Sequence, residues 1–307
     1  MDRRLQVFHA VAKHLSFTKA GDALFMSQPA VTFQIKQLEE HFNTHLFERG
    51  RGQISLTEAG KIVFDYAERI LGLSYELDAK LKDLTAQIAG PLLIGASMTI
   101  AEYLLPQVLG EYSVRYPSIV PRLLVANSEQ VQFQLAEHNL DVGFIEGDSL
   151  LPSLVTEFVC EDELLVVCAP LHPLAKQKSV VPIELAQHAY ISREPGSGTR
   201  EVTDHYLQKI GIAPDSLQPA MELGSPEALK GLVATGRGFA IMSRATVIKE
   251  TRLCLLVGIP LAPRLVRNLS VVYFRQKFYS KAVSDFVTFA KERLAARQPS
   301  KEAATHA

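Results

Sequence analysis

Residues 16–39, SFTKAGDALFMSQPAVTFQIKQLE, read as two short helices joined by a tight turn, and they decide how the N-terminal region folds. In the second helix Val31, Ile35, Leu38 and Phe42 recur at helical spacing and form one apolar stripe. Gln28, Thr32, Phe33 and Lys36 fall on the opposite face. A solvated helix face is usually rich in Glu and Lys, whereas this one carries an amide, a hydroxyl, an aromatic ring and one cation. Amides bond bidentately to adenine, hydroxyls reach several base edges, and apolar groups touch the thymine methyl. Ser27 stands where an N-cap belongs, and Pro29 falls in the first turn, where a missing N–H costs nothing. Helix N-termini also attract phosphate. The second helix is therefore expected to enter a DNA major groove. The plainer alternative is a helical hairpin with a polar outer face, and the next segment weighs against it.

That segment is LFERGRGQISLTEAG, residues 46–60. It has a short apolar start, a Gly-rich basic turn from Arg49 to Gly52, and the strand-like alternation QISLT. This is a hairpin wing with Arg49 and Arg51 at its tip, placed to meet phosphates or a minor groove.

The first 60 residues closely resemble the winged helix-turn-helix of LysR-type transcriptional regulators. The resemblance is carried by Leu5, Phe8, Val11, Ala12, Ser16, Phe17, Thr18, Ala20, Leu24, Ser27, Gln28, Pro29, Ala30, Val31, Gln34, Ile35, Leu38, Glu39, Leu46, Phe47, Arg49, Leu56, Thr57 and Gly60, in that order. It implies DNA contacts from Ser27, Gln28, Pro29, Thr32, Phe33, Lys36, Arg49 and Arg51. Two departures stand out. Gly21 replaces the usual Ala, and Gly inside a helix costs about 1 kcal/mol. Thr32-Phe33 replaces a common Ser-Arg, which exchanges a cationic contact for a thymine-methyl contact. Residues 1–61 carry eight Lys/Arg against six Asp/Glu, so one copy binds phosphate weakly and assembly must add affinity. His9, His14, His41 and His45 are scattered there and read as surface residues.

After the wing, Thr57 caps a helix running to about Gln87 without a Pro, with Glu58 favourable to the helix dipole. Val63, Tyr66, Ile70, Leu73 and Leu77, continued by Leu81, Leu84 and Ile88, make a seam with a period near 3.5, that of a two-stranded coil. In the resembling family this linker helix pairs two subunits. Ala89-Gly90-Pro91 ends it.

From residue 91 strands and helices alternate: PLLIGAS, IVPRLLVAN and LDVGFIEG as strands, with helices over 100–114 and 128–138. A second set has LVTEFV, ELLVVCAP, AYISRE, PAMEL and GFAIMS as strands, with helices near 199–210 and 226–235. LSVVYFR then returns as a strand, and 280–296 form a last amphipathic helix. Such βαβ order implies a parallel α/β sheet. It resembles the two-lobed, periplasmic-binding-protein-like effector domain of the same family. The expected plan is a winged helix-turn-helix over 1–57, a linker helix over 58–89 and an effector domain over 90–297. Lobe one takes 91–160 plus 266–297, lobe two takes 161–265, and 298–307 are a disordered polar tail.

Ligands of parallel sheets bind where strands end and helices begin. Four junctions qualify: Gly95 to Thr99, Asn127-Ser128, Glu194 to Arg200, and Gly224 to Glu227. Taken singly, their hydroxyl and amide residues are ordinary N-caps. Taken together, they suit a small anion, with Ser97, Met98, Thr99, Asn127, Gly196, Ser197, Thr199, Arg200 and Ser225 as candidate contacts. Glu146 is a contrary carboxylate, expected to hold a cationic group or Arg200. The runs REPGSGTR and MELGS resemble two branches of the family: one answers to sulfur oxyanions, the other controls carbon-fixation genes through phosphorylated metabolites or NADPH. The expectation leans to an inorganic oxyanion such as sulfite or sulfate, or a small carboxylate, with the carbon-metabolism regulator as the alternative.

The remaining features bound the class. Cys160, Cys168 and Cys254 lie in apolar runs without metal-ligand spacing and read as buried thiols. The N-terminus lacks a long apolar core of a signal peptide, and no stretch of 18 apolar residues exists, so a cytoplasmic protein without a membrane partner is expected. A solute-binding protein is disfavoured by the DNA-reading unit. An enzyme is disfavoured because GSGTR lacks the spacing and Lys of a phosphate loop. The expected partners are double-stranded DNA, a small anionic effector, a second copy through the linker helix, a homotetramer built from such dimers, and RNA polymerase. No catalytic residue, cofactor or metal is expected.

Overall fold

A computed structural model describes residues 2–24, 26–50, 53–84, 90–149, 151–212, 217, 219–275 and 280–296. The chain divides into two compact units, residues 1–86 with 276–280 and residues 87–275 with 281–307.

The first unit starts with α1 (Arg3–His14), α2 (Phe17–Leu24) and α3 (Gln28–Phe42). Val7, Phe8, Val11, Phe17, Ala20, Val31, Ile35, Leu38, Leu46 and Phe47 form its core. Phe42, expected in the buried stripe, is exposed, because the helix ends there against the left-handed Asn43. Gly21 is required where it stands: a Cβ would lie 2.6 Å from the Met26 carbonyl oxygen, in the turn closed by Met26 N–H bonding to Gly21 O at 2.8 Å. Two histidines are less exposed than expected. His9 stacks on Phe64 at 5.1 Å and faces Glu68, and His14 is half-buried.

The wing is an antiparallel pair, β1 (Phe47–Gly50) and β2 (Gln53–Leu56). Glu39 of α3 ties it down, its Oε1 accepting from Leu46 N–H at 2.7 Å. Thr57 Oγ1 accepts from Gly60 N–H at 2.9 Å and so caps α4 (Glu58–Leu84). Along α4 Tyr66, Ile70, Leu73, Leu77 and Leu81 are exposed, whereas Val63 packs on the core beneath. Ile88, the tail 298–307 and Arg51 lie outside the described residues.

The second unit is built on one eight-stranded sheet. Its strands are β3 (Gly90–Ser97), β4 (Ile119–Ala126), β5 (Val142–Glu146), β6 (Leu154–Cys168), β7 (Tyr190–Arg193), β8 (Pro219–Leu223), β9 (Phe239–Ser243) and β10 (Val257–Phe274). Their order is β4-β3-β5-β10-β6-β9-β7-β8, so the long antiparallel pair β10–β6 separates two outer groups of three. Helices α5 (Met98–Tyr103), α6 (Leu105–Arg115) and α7 (Ser128–Ala136) belong with the first group, as does the C-terminal α11 (Lys281–Ala295), which contacts α6. Helices α8 (Gly198–Lys209), α9 (Pro226–Ala234) and the short α10 (Ile248–Arg252) belong with the second.

Several expectations need correction. LVTEFV and ELLVVCAP are one strand, not two. The acidic run Glu161-Asp162-Glu163 does not break it, because Asp162 pairs with Arg267 at 2.8 Å and Glu163 with Arg264 at 2.7 Å. The return strand begins at Val257, twelve residues before LSVVYFR; Pro260 and Pro263 hide it in the sequence, and its register shifts between Pro260 and Leu265. The helix expected over 100–114 is broken at Leu104, since Pro106 lacks an N–H and its ring meets the preceding turn. Cys160 and Cys168 are buried thiols, and burial pushes both up to about 11. Cys254 is exposed instead, in a left-handed turn with φ +55° after α10.

Candidate DNA-binding face and effector cleft

Ser27 is the N-cap of α3 by backbone geometry, though its side chain makes no capping bond, and Pro29 sits in the first turn. The hydroxyl is thus left for other donors. Ser27, Gln28, Pro29, Phe33 and Lys36 are exposed, and Thr32 is half-buried, returning a hydrogen bond to Gln28 O at 3.0 Å. Phe33 is 57% exposed on a helix whose opposite face is packed, so its ring is open to a partner. Lys36 reaches Glu40 at 3.7 Å, an exposed pairing that DNA phosphate can displace. Arg49 lies on β1 at the approach to the wing tip.

The second unit gathers most of the expected effector residues, but not as one open anion site. Ser97, Thr99, Ser128, Ser197 and Thr199 are all buried where strands end and helices start. Asn127 and Ser225 are conventional caps: Asn127 accepts from Gln130 N–H at 2.9 Å, and Ser225 from Ala228 N–H at 3.4 Å. Gly196, at φ +80°, turns the loop so that its carbonyl accepts from Glu129 N–H at 3.3 Å.

Arg200 is not in the cleft. It turns outward to Glu222 at 2.6 Å and to the Arg193 carbonyl at 3.1 Å. The partner of Glu146 is Arg267, at 3.7 Å, rather than Arg200. Arg267 has a side chain only 1% exposed; it donates to Asp162 Oδ2 from Nε at 2.8 Å and to Thr199 Oγ1 from Nη1 at 2.8 Å. Ser128 Oγ donates to Glu146 Oε2 at 2.5 Å. Burial opposes ionisation of Glu146, but the Arg267 charge and the Ser128 hydroxyl outweigh it and hold the carboxyl below its usual range.

Beside this network lies a small, open cleft lined by Thr99, Arg193, Thr199, Pro226, Leu229, Ile241, Met242, Ser243 and Thr246. One guanidinium and four hydroxyls line it, and no carboxylate does. Arg193 is bidentate to Glu194 at 2.8 and 3.0 Å and touches Met98 Sδ at 3.7 Å, so Met98 packs on the cation instead of donating to a ligand. Elsewhere on α5 and α9, Tyr103 hydrogen-bonds Glu227, and Lys230 lies over the Tyr103 ring at 5.2 Å.

Sequence reasoning missed Arg193, Asp162, Ser243, Thr246 and Arg267. For Arg267 a signal exists: Leu265, Arg267 and Leu269 share one strand parity and are all buried, so the alternation aims the cation inward.

Two family models match the chain. One is described as a bacterial regulatory helix-turn-helix protein of the lysR family, over residues 3–61; the other is the LysR substrate binding domain, over 85–295. A relative from Cyanidioschyzon merolae named a probable RuBisCO transcriptional regulator is 36% identical over 287 residues, 92% of this chain and 95% of that protein. One of the same name from Porphyra purpurea is 34% identical over 287 residues, 92% and 90% of the two chains. The regulatory domain of CcmR from Synechocystis, solved in complex with 2-PG, is similar at TM-score 0.61 and 26% identity, covering 66% of this chain and 96% of its own. An H2O2-bound OxyR mutant from Corynebacterium glutamicum shares the fold at TM-score 0.61 and 20% identity, covering 96% and 92%. A helix-turn-helix match at one end and a substrate-binding match over most of the rest place this chain in the LysR family of DNA-binding transcriptional regulators.

Proposed function

We propose that this chain regulates carbon-metabolism genes, and that a small anionic metabolite held in the Arg193 cleft modulates its operator binding or promoter activation. The carrying observation is the cleft itself, with one buried guanidinium, four hydroxyls and no acidic side chain in its lining. A guanidinium suits phosphate and carboxylate; Glu194 holds the Nε and Nη2 edge of Arg193, so an effector meets its Nη1 side or displaces Glu194. The relatives named as RuBisCO regulators and the 2-PG complex of CcmR favour a phosphorylated or carboxylated metabolite over an inorganic sulfur oxyanion.

On this reading residues 1–57 bind DNA, 58–89 pair two copies, and 90–297 take the effector, with 298–307 a tail. Lobe one is 91–160 plus 266–297 and lobe two 161–265. The pairing of β10 with β6 supports that division, since both strands pass between the two sheet groups near Asp162 and Arg267. Two dimers make a tetramer across two half-sites, in the cytoplasm, with RNA polymerase as a further partner and no catalytic turnover. Among the described residues no helix is long and apolar enough to cross a membrane.

Thermal unfolding of the full chain with 2-PG, phosphate, sulfite, sulfate and NADPH tests the effector class. A ligand at 100 times its Kd adds about 2.7 kcal/mol to a native state that alone binds it. Stabilisation by 2-PG that Arg193→Ala abolishes supports the reading. Stabilisation by sulfite or sulfate alone transfers it to the sulfur-oxyanion branch.

A further inference from the structure

Glu146 ends β5 with a side chain 3% exposed, inside a ring of donors. Ser128, the first residue of α7, gives its hydroxyl to Oε2 at 2.5 Å. Arg267, on the long central strand, faces Oε1 from 3.7 Å, steered by Asp162 and Thr199. The N-terminus of α8 closes the ring so tightly that a Cβ on Gly198 would lie 2.7 Å from Glu146 Cβ and 2.8 Å from its Oε2. Two more buried polar atoms there, Ser97 Oγ and Arg267 Nη2, lack a partner with full hydrogen-bond geometry, although Ser97 is near enough to favour the ionised carboxyl. This donor set is an oxyanion receptor, and it already holds an anion.

We infer that Glu146 is the chain's own tethered anion, seated in a receptor of Ser97, Ser128, Arg267 and the α8 N-terminus, a site that takes a small free carboxylate once the side chain is cut back. The receptor draws its parts from both outer groups of the sheet: β5 and α7 from one, α8 from the other. Glu146 therefore clamps the two groups together beside the cleft. It also makes the receptor closed to a metabolite, which leaves Arg193 as the cation for an effector; that last point rests on the effector reading above, and the clamp does not.

The test is thermal unfolding of full-length Glu146→Ala in formate and acetate against chloride at equal ionic strength, repeated in an Arg193→Ala background to separate binding at the cleft. The expected result is a saturable gain in formate for Glu146→Ala in both backgrounds. At ten times Kd the folded-to-unfolded ratio rises about elevenfold. Glu146→Ala with Arg267→Met loses the gain. No formate-specific gain, an equal gain without the Glu146 change, or a gain that survives Arg267→Met overturns the inference. Glu146→Gln keeps the volume and carries the test if Glu146→Ala does not fold. Adding Ser128→Ala to Glu146→Gln is then expected to cost far less than Ser128→Ala alone, and equal costs overturn the clamp. A gain confined to backgrounds that retain Arg193 points to cleft binding and likewise overturns the receptor assignment.

Discussion

Arg267 balances two buried carboxylates at once, and removing it deprives both Glu146 and Asp162 of their paired cation. Breaking a buried pair from one side costs about 3–5 kcal/mol, because the surviving charge stays desolvated. Arg267→Met is therefore expected to lower urea-unfolding stability by that amount; a loss below about 1 kcal/mol would show that the network is incidental. The same geometry gives a pH dependence. The folded Glu146 carboxyl lies below its ordinary 4.5, so its contribution is complete above that pH and is lost as the pH falls through the lowered value. Glu146→Gln is expected to flatten the acid limb of a stability–pH curve below about pH 4.5 and to leave the shape of the curve near pH 7 unchanged. At this scale the sequence was only half legible. Hydroxyls before helices could be found by inspection, but Thr199 and Arg200 are successive helical positions about 100° apart, so one can face the cleft and the other must turn away. Arg267 needed the pairing partner Asp162, about a hundred positions distant in the chain, before its burial made sense.

Whole elements were easier to read, because periodicity is a local property. The apolar stripe of α3, the wing and most strands of the second unit follow from spacing alone. The failures have local causes: prolines concealed the first half of β10, and an acidic run satisfied by distant arginines looked like a break in β6. Two predictions belong here. Gly60 packs under the wing, where a Cβ would collide with the Leu46 carbonyl oxygen. Gly60→Ala should destabilise the first unit by 1 kcal/mol or more, on the order of an overpacking cost, despite its gain in helix propensity. Calorimetry of the full chain should show this in one transition; an unchanged profile would contradict the packing. On α4, Leu73 and Leu77 are 65% and 56% exposed on one stripe. A Leu73→Glu, Leu77→Glu double variant should sediment as a smaller assembly than the wild type and retain its helical circular dichroism. A variant with the wild-type assembly size would remove α4 as the pairing surface.

For the molecule as a whole, a helix-turn-helix unit and a LysR-type substrate-binding unit share one chain, and coupling between them is the claim that matters most. Coupling is a free energy between two sites: a ligand shifts an equilibrium only by its preference for one state. The family was legible from the first 60 residues, where a close-packed core and tight turns constrain residue type one by one. The effector was not, since the cleft is lined by side chains that the topology assembles from α5, β7, α8, α9 and β9. Phe33 carries the specificity prediction at this scale: Phe33→Arg should change the preferred operator bases opposite that residue, as read by selection from random DNA, and an unchanged preference would remove Phe33 from base contact. The most direct test of the coupling is the affinity of the full-length protein for DNA upstream of RuBisCO genes, measured by fluorescence anisotropy with and without 2-PG, for the wild type and Arg193→Ala. The expected result is a shift of about 5- to 150-fold, or a changed footprint, in the wild type and none in Arg193→Ala. Identical binding with and without 2-PG, or an equal shift in both proteins, would contradict an anion-operated regulator working through Arg193.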